Sequence, residues 1–330
     1  MENKRFRHFK NTDYELFFDT LTGFEILKGA GRKKDPFSLI LPSLLDIGIM
    51  GTCKNKCRFC YQGHENRPNM KLEDFKWIID HVSYHTNQVA LGGRGDPNHH
   101  PQFKEILEYC REKNIVPNYT TSGIEITDEQ IEISKLCGAV AVSDYSREYT
   151  FSAIKKFMDA GIKTNIHLIF SAVTFNKSIR ILSGIDVWNG QVDIDRLNAV
   201  IFLLFKPQGA GRNWKASIPG PKQLRAMSKK ILNSKSKFKI GIDSCLANHL
   251  VKYEKLNPTQ ALSIQTCEAS RMSSYISPSM NMIPCSFASE KQFGVNLRKN
   301  DIEKVWNQSD SFIKFRRKLL YNGNTCPLKL

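Results

Sequence analysis

The chain lacks any apolar segment able to cross a bilayer: its longest uninterrupted apolar run is Ala199 to Phe205, against the roughly 20 residues a spanning helix needs. No apolar stretch follows the basic N-terminal residues Lys4, Arg5, Arg7 and Lys10, so they do not read as a secretory signal. The expected compartment is the cytoplasm, with no membrane partner. Also missing are an internal repeat, a low-complexity tract, an arginine-rich arm and a nucleic-acid recognition motif. The formal net charge is +16, but its basic residues are spread out, thickening only at Arg212–Lys239 and Arg298–Lys318. A solvated, lysine-rich surface accounts for that, and nucleic acid is not an expected partner. A nucleic-acid-modifying protein is an outside alternative, and its sign would be RNA binding that falls steeply with salt.

What is present is enough sequence for one large α/β domain and a smaller appendage, at 330 residues and 41% hydrophobic content. From about Ser43 to Gly209, short apolar runs alternate with amphipathic stretches. The runs are Leu44–Met50, Gln88–Leu91, Ile115–Tyr119, Ala139–Ser143, Lys163–Phe170 and Ala199–Phe205. Between them, Lys71–Val82, Phe103–Lys113, Asp128–Cys137 and Phe151–Ala160 have helical spacing. Thr127 or Asp128 fits as a helix cap, and Gly138 and Gly161 fit as terminators. Such alternation predicts parallel strands with helical crossovers, here a partial (β/α)6 TIM-like barrel. Functional residues in such folds gather at the C-terminal ends of the strands. Past Gly209, a Gly/Pro-punctuated stretch leads to a basic helix at Lys222–Lys235 and then a turn-rich tail.

Nine cysteines in a reducing compartment point to metal or redox chemistry rather than disulfides. Cys53, Cys57 and Cys60 form a C-x3-C-x2-C loop directly after the first predicted core strand. Three thiolates on one loop can each hold one iron of a 4Fe–4S cluster and leave the fourth iron open to an exogenous ligand. Zinc, with His64 as a fourth ligand, is the competing metal reading. A ferredoxin pattern would need a regular four-cysteine run, which is absent. Cys110 lies in a predicted helix and Cys137 ends one, so both read as packing residues.

This loop, followed by the aromatic Tyr61, resembles the signature of the radical S-adenosylmethionine superfamily, and the resemblance covers roughly residues 44–210. It implies that the free iron chelates the amino and carboxylate groups of S-adenosylmethionine. It also implies reductive cleavage to methionine and a 5′-deoxyadenosyl radical that abstracts a substrate hydrogen. Tyr61 then packs near the adenine. Leu91-Gly92-Gly93-Arg94-Gly95-Asp96-Pro97 resembles the family's glycine-rich turn, whose backbone groups meet the amino group of S-adenosylmethionine. Asp96 stands where the family more often has Glu. Thr120-Thr121-Ser122-Gly123 occupies the place of a Thr-Asn-Gly turn, and Ser143 resembles a serine contacting the cofactor. Asn165 and His167 are weaker candidates, since both fit ordinary strand-end hydrogen bonding. The cofactor-binding expectation is thus Tyr61, Gly92, Gly93, Arg94, Gly95, Asp96, Ser122 and Ser143.

Cys267 and Cys285, separated by 17 residues, resemble the opening of the SPASM and twitch domains, except that Met280 stands at the glycine position. The dense cysteine run of a full SPASM domain is absent. Cys245, Cys267, Cys285 and Cys326 are therefore the expected ligands of one auxiliary 4Fe–4S cluster; if only three bind iron, Cys245 or Cys326 is the candidate hydrogen-atom donor. The expected organisation is an N-terminal extension (1–42), a core (43–210), a linker with the basic helix (211–240) and the auxiliary cluster domain (241–330). Residues 1–42 carry an acidic-aromatic piece, Asp13–Phe18, and a basic turn, Lys28–Lys34, and read as a small hairpin covering the barrel or an edge for peptide pairing. The resemblance implies maturation of a ribosomally made peptide by cross-linking, epimerisation or dehydrogenation, with a flavodoxin or ferredoxin as electron donor. The alternative is a small-molecule dehydrogenase or rearrangement enzyme.

Overall fold

A computed structural model describes residues 5–29, 37–262, 264–323 and 325–328. Lys4 and residues 30–34 of the basic turn lie outside the described residues.

The N-terminal segment forms three antiparallel strands: β1 (Phe6–Lys10), β2 (Tyr14–Asp19) and β3 (Glu25–Gly29), in that order. The alternation in β2 explains it, because Tyr14, Leu16 and Phe18 point to one face. That face is buried against Val116 and Met272.

The predicted strand–helix alternation is present throughout the core. The elements are β4 (Leu44–Met50), α1 (Leu72–Val82), β5 (Gln88–Gly93), α2 (Phe103–Glu112), β6 (Val116–Thr121) and α3 (Asp128–Ser134). There follow β7 (Val140–Ser143), α4 (Glu148–Asp159), β8 (Thr164–Phe170), α5 (Phe175–Leu182) and β9 (Ala199–Leu204). Strands β4 to β9 are parallel neighbours in chain order. The sheet does not stop there. After α6 (Pro221–Leu232), β10 (Lys239–Ile242) adds to β9 in parallel. Helices α7 (Ser244–Tyr253) and α8 (Pro258–Leu262) carry the chain back to the opposite edge. There β11 (Ser273–Ile276) pairs in parallel with β4. Antiparallel β12 (Asn281–Ile283) and β13 (Val295–Asn296) extend that edge, with α9 (Glu290–Phe293) between them. Helices α10 (Ile302–Gln308) and α11 (Asp310–Tyr321) follow. The result is one mostly parallel ten-stranded sheet, β10-β9-β8-β7-β6-β5-β4-β11-β12-β13, with no pairing of its two ends among the described residues. It is an open partial barrel. No helix among the described residues is long and apolar enough to cross a membrane.

Burial follows the strand period. In β8, Thr164, Ile166, Leu168 and Phe170 are buried, whereas Asn165, His167 and Ile169 are only half-buried. Ile166 and Leu168 join Ile47, Val89, Val142, Val200 and Phe202 in the main core. Each such side chain contributes about 1.5–3 kcal/mol on full burial, so the core holds the strand ends in place for the site. Thr127 caps α3 in a capping box with Gln130, and Gly161 ends α4 in the left-handed region at φ +74°. Gly138 acts differently from the expectation. The third helix stops at Ser134, and Gly138 is small because a Cβ there would sit 2.7 Å from Val116 Cγ1.

Candidate metal centre and cofactor site

The cysteine loop leaves β4 at Met50 and is pinned by its own backbone. Gly51 N donates to Asn69 Oδ1 (2.8 Å), Arg67 N to Gly51 O (2.9 Å), Cys60 N to Cys57 O (3.1 Å) and Ala210 N to Cys60 O (2.9 Å). His64 Nε2 lies 2.9 Å from Cys57 O, so its imidazole is engaged with the loop backbone. Cys53, Cys57 and Cys60 are free and half-buried. Burial pushes the Cys53 thiol up to about 11, and proximity to Asp96, Cys57 and Cys60 adds to the rise against a backbone hydrogen bond from Asn55. Cys57 is likewise raised, chiefly by burial, while its Sγ lies 3.4 Å from the Tyr145 hydroxyl. These thiols become thiolates when a metal displaces their protons. Among the described residues, no three or more His, Cys, Asp or Glu side chains are placed to hold a single metal ion. A cluster asks for something else, namely thiols on one loop that each reach a different iron, and this donor set fits that demand.

The glycine-rich turn packs directly on the base of this loop. Arg94 N donates to Met50 O (2.9 Å). Gly93 sits at φ +121°, and a Cβ on it would overlap the Met50 carbonyl, as one on Gly95 would overlap the Thr52 carbonyl. Glycine is required here for close approach. Asp96 and Ser122, from different strand ends, meet: Asp96 accepts from Ser122 N (2.9 Å) and Ser122 Oγ (2.5 Å). Burial raises the Asp96 carboxyl despite those bonds. Ser143 ends β7 half-buried, opposite His167 in register. His167 Nδ1 is 3.4 Å from Thr120 Oγ1, and burial depresses its imidazole to about 4.

Tyr61 faces the C-terminal segment. Its ring lies 4.6 Å from that of Phe287, and burial lifts its hydroxyl to about 12. The late cysteines come from four separate places: the first turn of α7 (Cys245), the segment before β11 (Cys267), the exit of β12 (Cys285) and the tail after α11 (Cys326). They converge nonetheless. The Cys285 thiol is raised first by burial and then by Cys245, Cys267 and Cys326 together. None of the nine cysteines is in a disulfide. Cys110 is fully buried in α2, as a packing residue should be.

Several residues at this centre had no sequence signal. Lys206, just past β9, is buried and bonds Asp243 Oδ2 (2.6 Å) and Leu204 O (2.7 Å). Burial lowers its ammonium, but Asp243 and Cys245 outweigh that and the net shift is upward. Its Nζ also stands 4.6 Å from the Phe287 ring centroid. Tyr145, Phe59 and Trp214 stack beside the loop at 5.8 and 6.1 Å. Between the loop, the 208–214 turn and the 275–293 segment lies a cavity of about 1040 Å³.

Residues 47–143 match the family model of the Radical SAM superfamily. A curated relative, the tungsten-containing aldehyde ferredoxin oxidoreductase cofactor-modifying protein of Pyrococcus furiosus, is 24% identical over 92 residues, which is 27% of this chain. That alignment spans 26% of the relative's own length. Among solved structures, Streptococcus suis SuiB bound to S-adenosylmethionine superposes with a TM-score of 0.74, covering 96% of this chain and 90% of SuiB at 14% identity. SuiB bound to the precursor peptide SuiA gives 0.72, covering 94% and 89% at 14% identity. Native anSMEcpe with bound AdoMet gives 0.60, covering 82% of each chain at 14% identity. At these identities the structures establish a shared fold.

Proposed function

The chain carries a radical SAM core at residues 47–143, and from that premise we propose that it matures a ribosomally made peptide by abstracting a hydrogen from it. Cys53, Cys57 and Cys60 would hold the 4Fe–4S cluster that supplies the electron for reductive cleavage of S-adenosylmethionine. The Gly92–Asp96 turn, Ser122 and Ser143 would orient the cofactor through backbone and hydroxyl groups, while Asp96 holds Ser122 in place. Cys245, Cys267, Cys285 and Cys326 would hold a second, fully ligated cluster, whose chemistry is electron transfer because no iron is left open. The observation that carries the peptide reading is the cavity of about 1040 Å³. It lies at the upper end of the range for small-molecule sites, roughly 300–1,000 Å³, and it opens between the cysteine loop and the C-terminal segment, as a groove for a peptide segment would. The fold shared with SuiB, solved with a precursor peptide, supports the same reading.

The test begins with anaerobic iron and sulfide quantitation on reconstituted protein, beside a Cys53→Ala/Cys57→Ala/Cys60→Ala variant. About eight irons in the parent and about four in the variant, with deoxyadenosine only from the parent, is the expected result. Peptides encoded beside the gene are then incubated with the parent. Loss of two hydrogens signals cross-linking or dehydrogenation, and deuterium uptake at unchanged connectivity signals epimerisation. Turnover of a sugar or alcohol with no change to any peptide would overturn the peptide reading.

A further inference from the structure

Two buried donors on the wall of the large cavity are poorly served by the protein's own acceptors. Arg94 Nη1 is buried without a hydrogen-bond partner among the described residues, and Gln62 Nε2, beside the Tyr61 and Tyr275 hydroxyls, makes no well-formed hydrogen bond; both residues line the cavity. The Arg94 side chain is only 10% exposed, and its nearest carboxylate, the exposed Glu65, stands 3.7 Å from Nη2. Its guanidinium lies near Gly63, where an added Cβ would be 3.6 Å from Nη1. An unmet buried donor costs about 1–3 kcal/mol. Two such donors on one wall are accounted for by a ligand that brings its own acceptors.

The charges lining the cavity define that ligand further. Arg58 and Arg212, both exposed, line it with Arg94. The acidic residues that face in are Glu65 and Glu290. Glu290 is already engaged by Arg67 (2.9 Å), Ser277 Oγ (2.6 Å) and Asn281 Nδ2 (2.8 Å). The wall is therefore cationic, with Arg94 Nη1 and Gln62 Nε2 as the two donors that a carboxylate's pair of oxygens could meet.

We propose that this cavity receives the substrate peptide through an Asp or Glu side chain, whose carboxylate accepts hydrogen bonds from Arg94 Nη1 and Gln62 Nε2. The assignment rests on the peptide reading above. It also divides Arg94 between two tasks: its backbone N–H ties the glycine-rich turn to Met50, while its side chain serves the substrate. Arg58 and Arg212 at the rim draw the acidic segment in.

The experiment uses two fluorescein-labelled peptides of equal length, one alternating Glu and Gly and the other Gln and Gly. Each is titrated by anisotropy into the reconstituted full chain with S-adenosylmethionine present. The Glu peptide should bind about tenfold tighter or more. Arg94→Gln should remove most of that preference. Gln62→Met, which keeps length and removes the donor, should reduce it several-fold and guards against a misfolded arginine variant. Lys237→Gln, which removes a surface cation paired with Asp195 and absent from the cavity lining, should leave the preference intact. Equal affinity for the two peptides overturns the proposal, as does an equal loss in the Lys237 variant, which would assign the preference to general charge. S-adenosylmethionine affinity is measured in parallel. If Arg94→Gln weakens it as much as it weakens the Glu peptide, the side chain belongs to the cofactor and the proposal falls. Glutarate separates this site from the peptide reading. Arg94-dependent glutarate binding with neither peptide bound leaves the carboxylate site standing and removes the peptide. Two peptides bound equally, with no displacement by glutarate, do the reverse.

Discussion

Lys206 and Asp243 form a buried ion pair, Nζ to Oδ2 at 2.6 Å, with the two side chains 4% and 18% exposed. Asp243 also caps α7 by accepting from Leu246 N (2.8 Å), so the pair fixes the helix start that carries Cys245. Replacing Lys206 by Met leaves that mostly buried carboxylate without its cation, held only by the Leu204 and Leu246 backbone N–H groups. The expected loss is about 3–5 kcal/mol, read by denaturant unfolding of the metal-free chain. A Lys206→Met/Asp243→Leu double variant should recover part of it, and failure to recover any would show that the lysine acts elsewhere.

Gly93→Ala should be severe. The backbone at φ +121° and the Met50 carbonyl both resist a Cβ. The conformational strain alone is about 1–3 kcal/mol, and the overlap adds to it by prying the turn off the cysteine loop. A lower Tm together with weaker S-adenosylmethionine binding is the expected pair of results; a lower Tm with unchanged binding would separate the turn from the cofactor.

The isolated and the convergent cysteines should behave oppositely. Cys285→Ala should cut iron from about eight to about four per chain, since a four-thiolate cluster does not tolerate loss of a ligand. Cys110→Ser should leave iron untouched. It places a hydroxyl in a fully buried apolar site and should cost about 1–3 kcal/mol of stability. Iron and sulfide assays beside urea titrations distinguish the two.

His85 sets an acid limit. It is 5% exposed and lies 2.8 Å from Ser38 Oγ, and burial depresses its imidazole from 6.5 to about 4. Between these values the unfolded chain binds a proton that the folded chain refuses, so folding stability rises with pH across this window and is level above it. The effect is about 3 kcal/mol at full extent. His85→Gln should flatten that part of the stability–pH curve measured on the metal-free chain, and an unchanged slope would place the titration in another group.

The core was readable because its signals are local. Apolar runs located β4 to β9 and helical spacing located α1 to α4, though α3 ends and α4 begins three residues earlier than the spacing suggested and α5 carried no reading at all; the C-x3-C-x2-C spacing located the loop. The additions to the sheet were not readable. Strand β10, four residues long with a half-exposed pattern, and strand β11, whose Ser273 pairs with Leu44 of β4, 229 residues earlier, are defined by partners distant in sequence. The same distance hid Lys206, Asp243 and Phe287, which are ordinary residues until folding places them between Tyr61 and Cys245.

By itself, the sequence determined the parallel αβ alternation, the triple-cysteine loop and the glycine turn above it, because each is written in residues a few positions apart and enforced by local backbone and thiol chemistry. Only the tertiary structure decided that four late thiols from four segments come near enough to influence one another, that a buried lysine braces the helix start of one of them, and that Arg94 and Gln62 turn buried donors into one cavity. Those relationships are products of burial, which acts between segments whatever their separation along the chain.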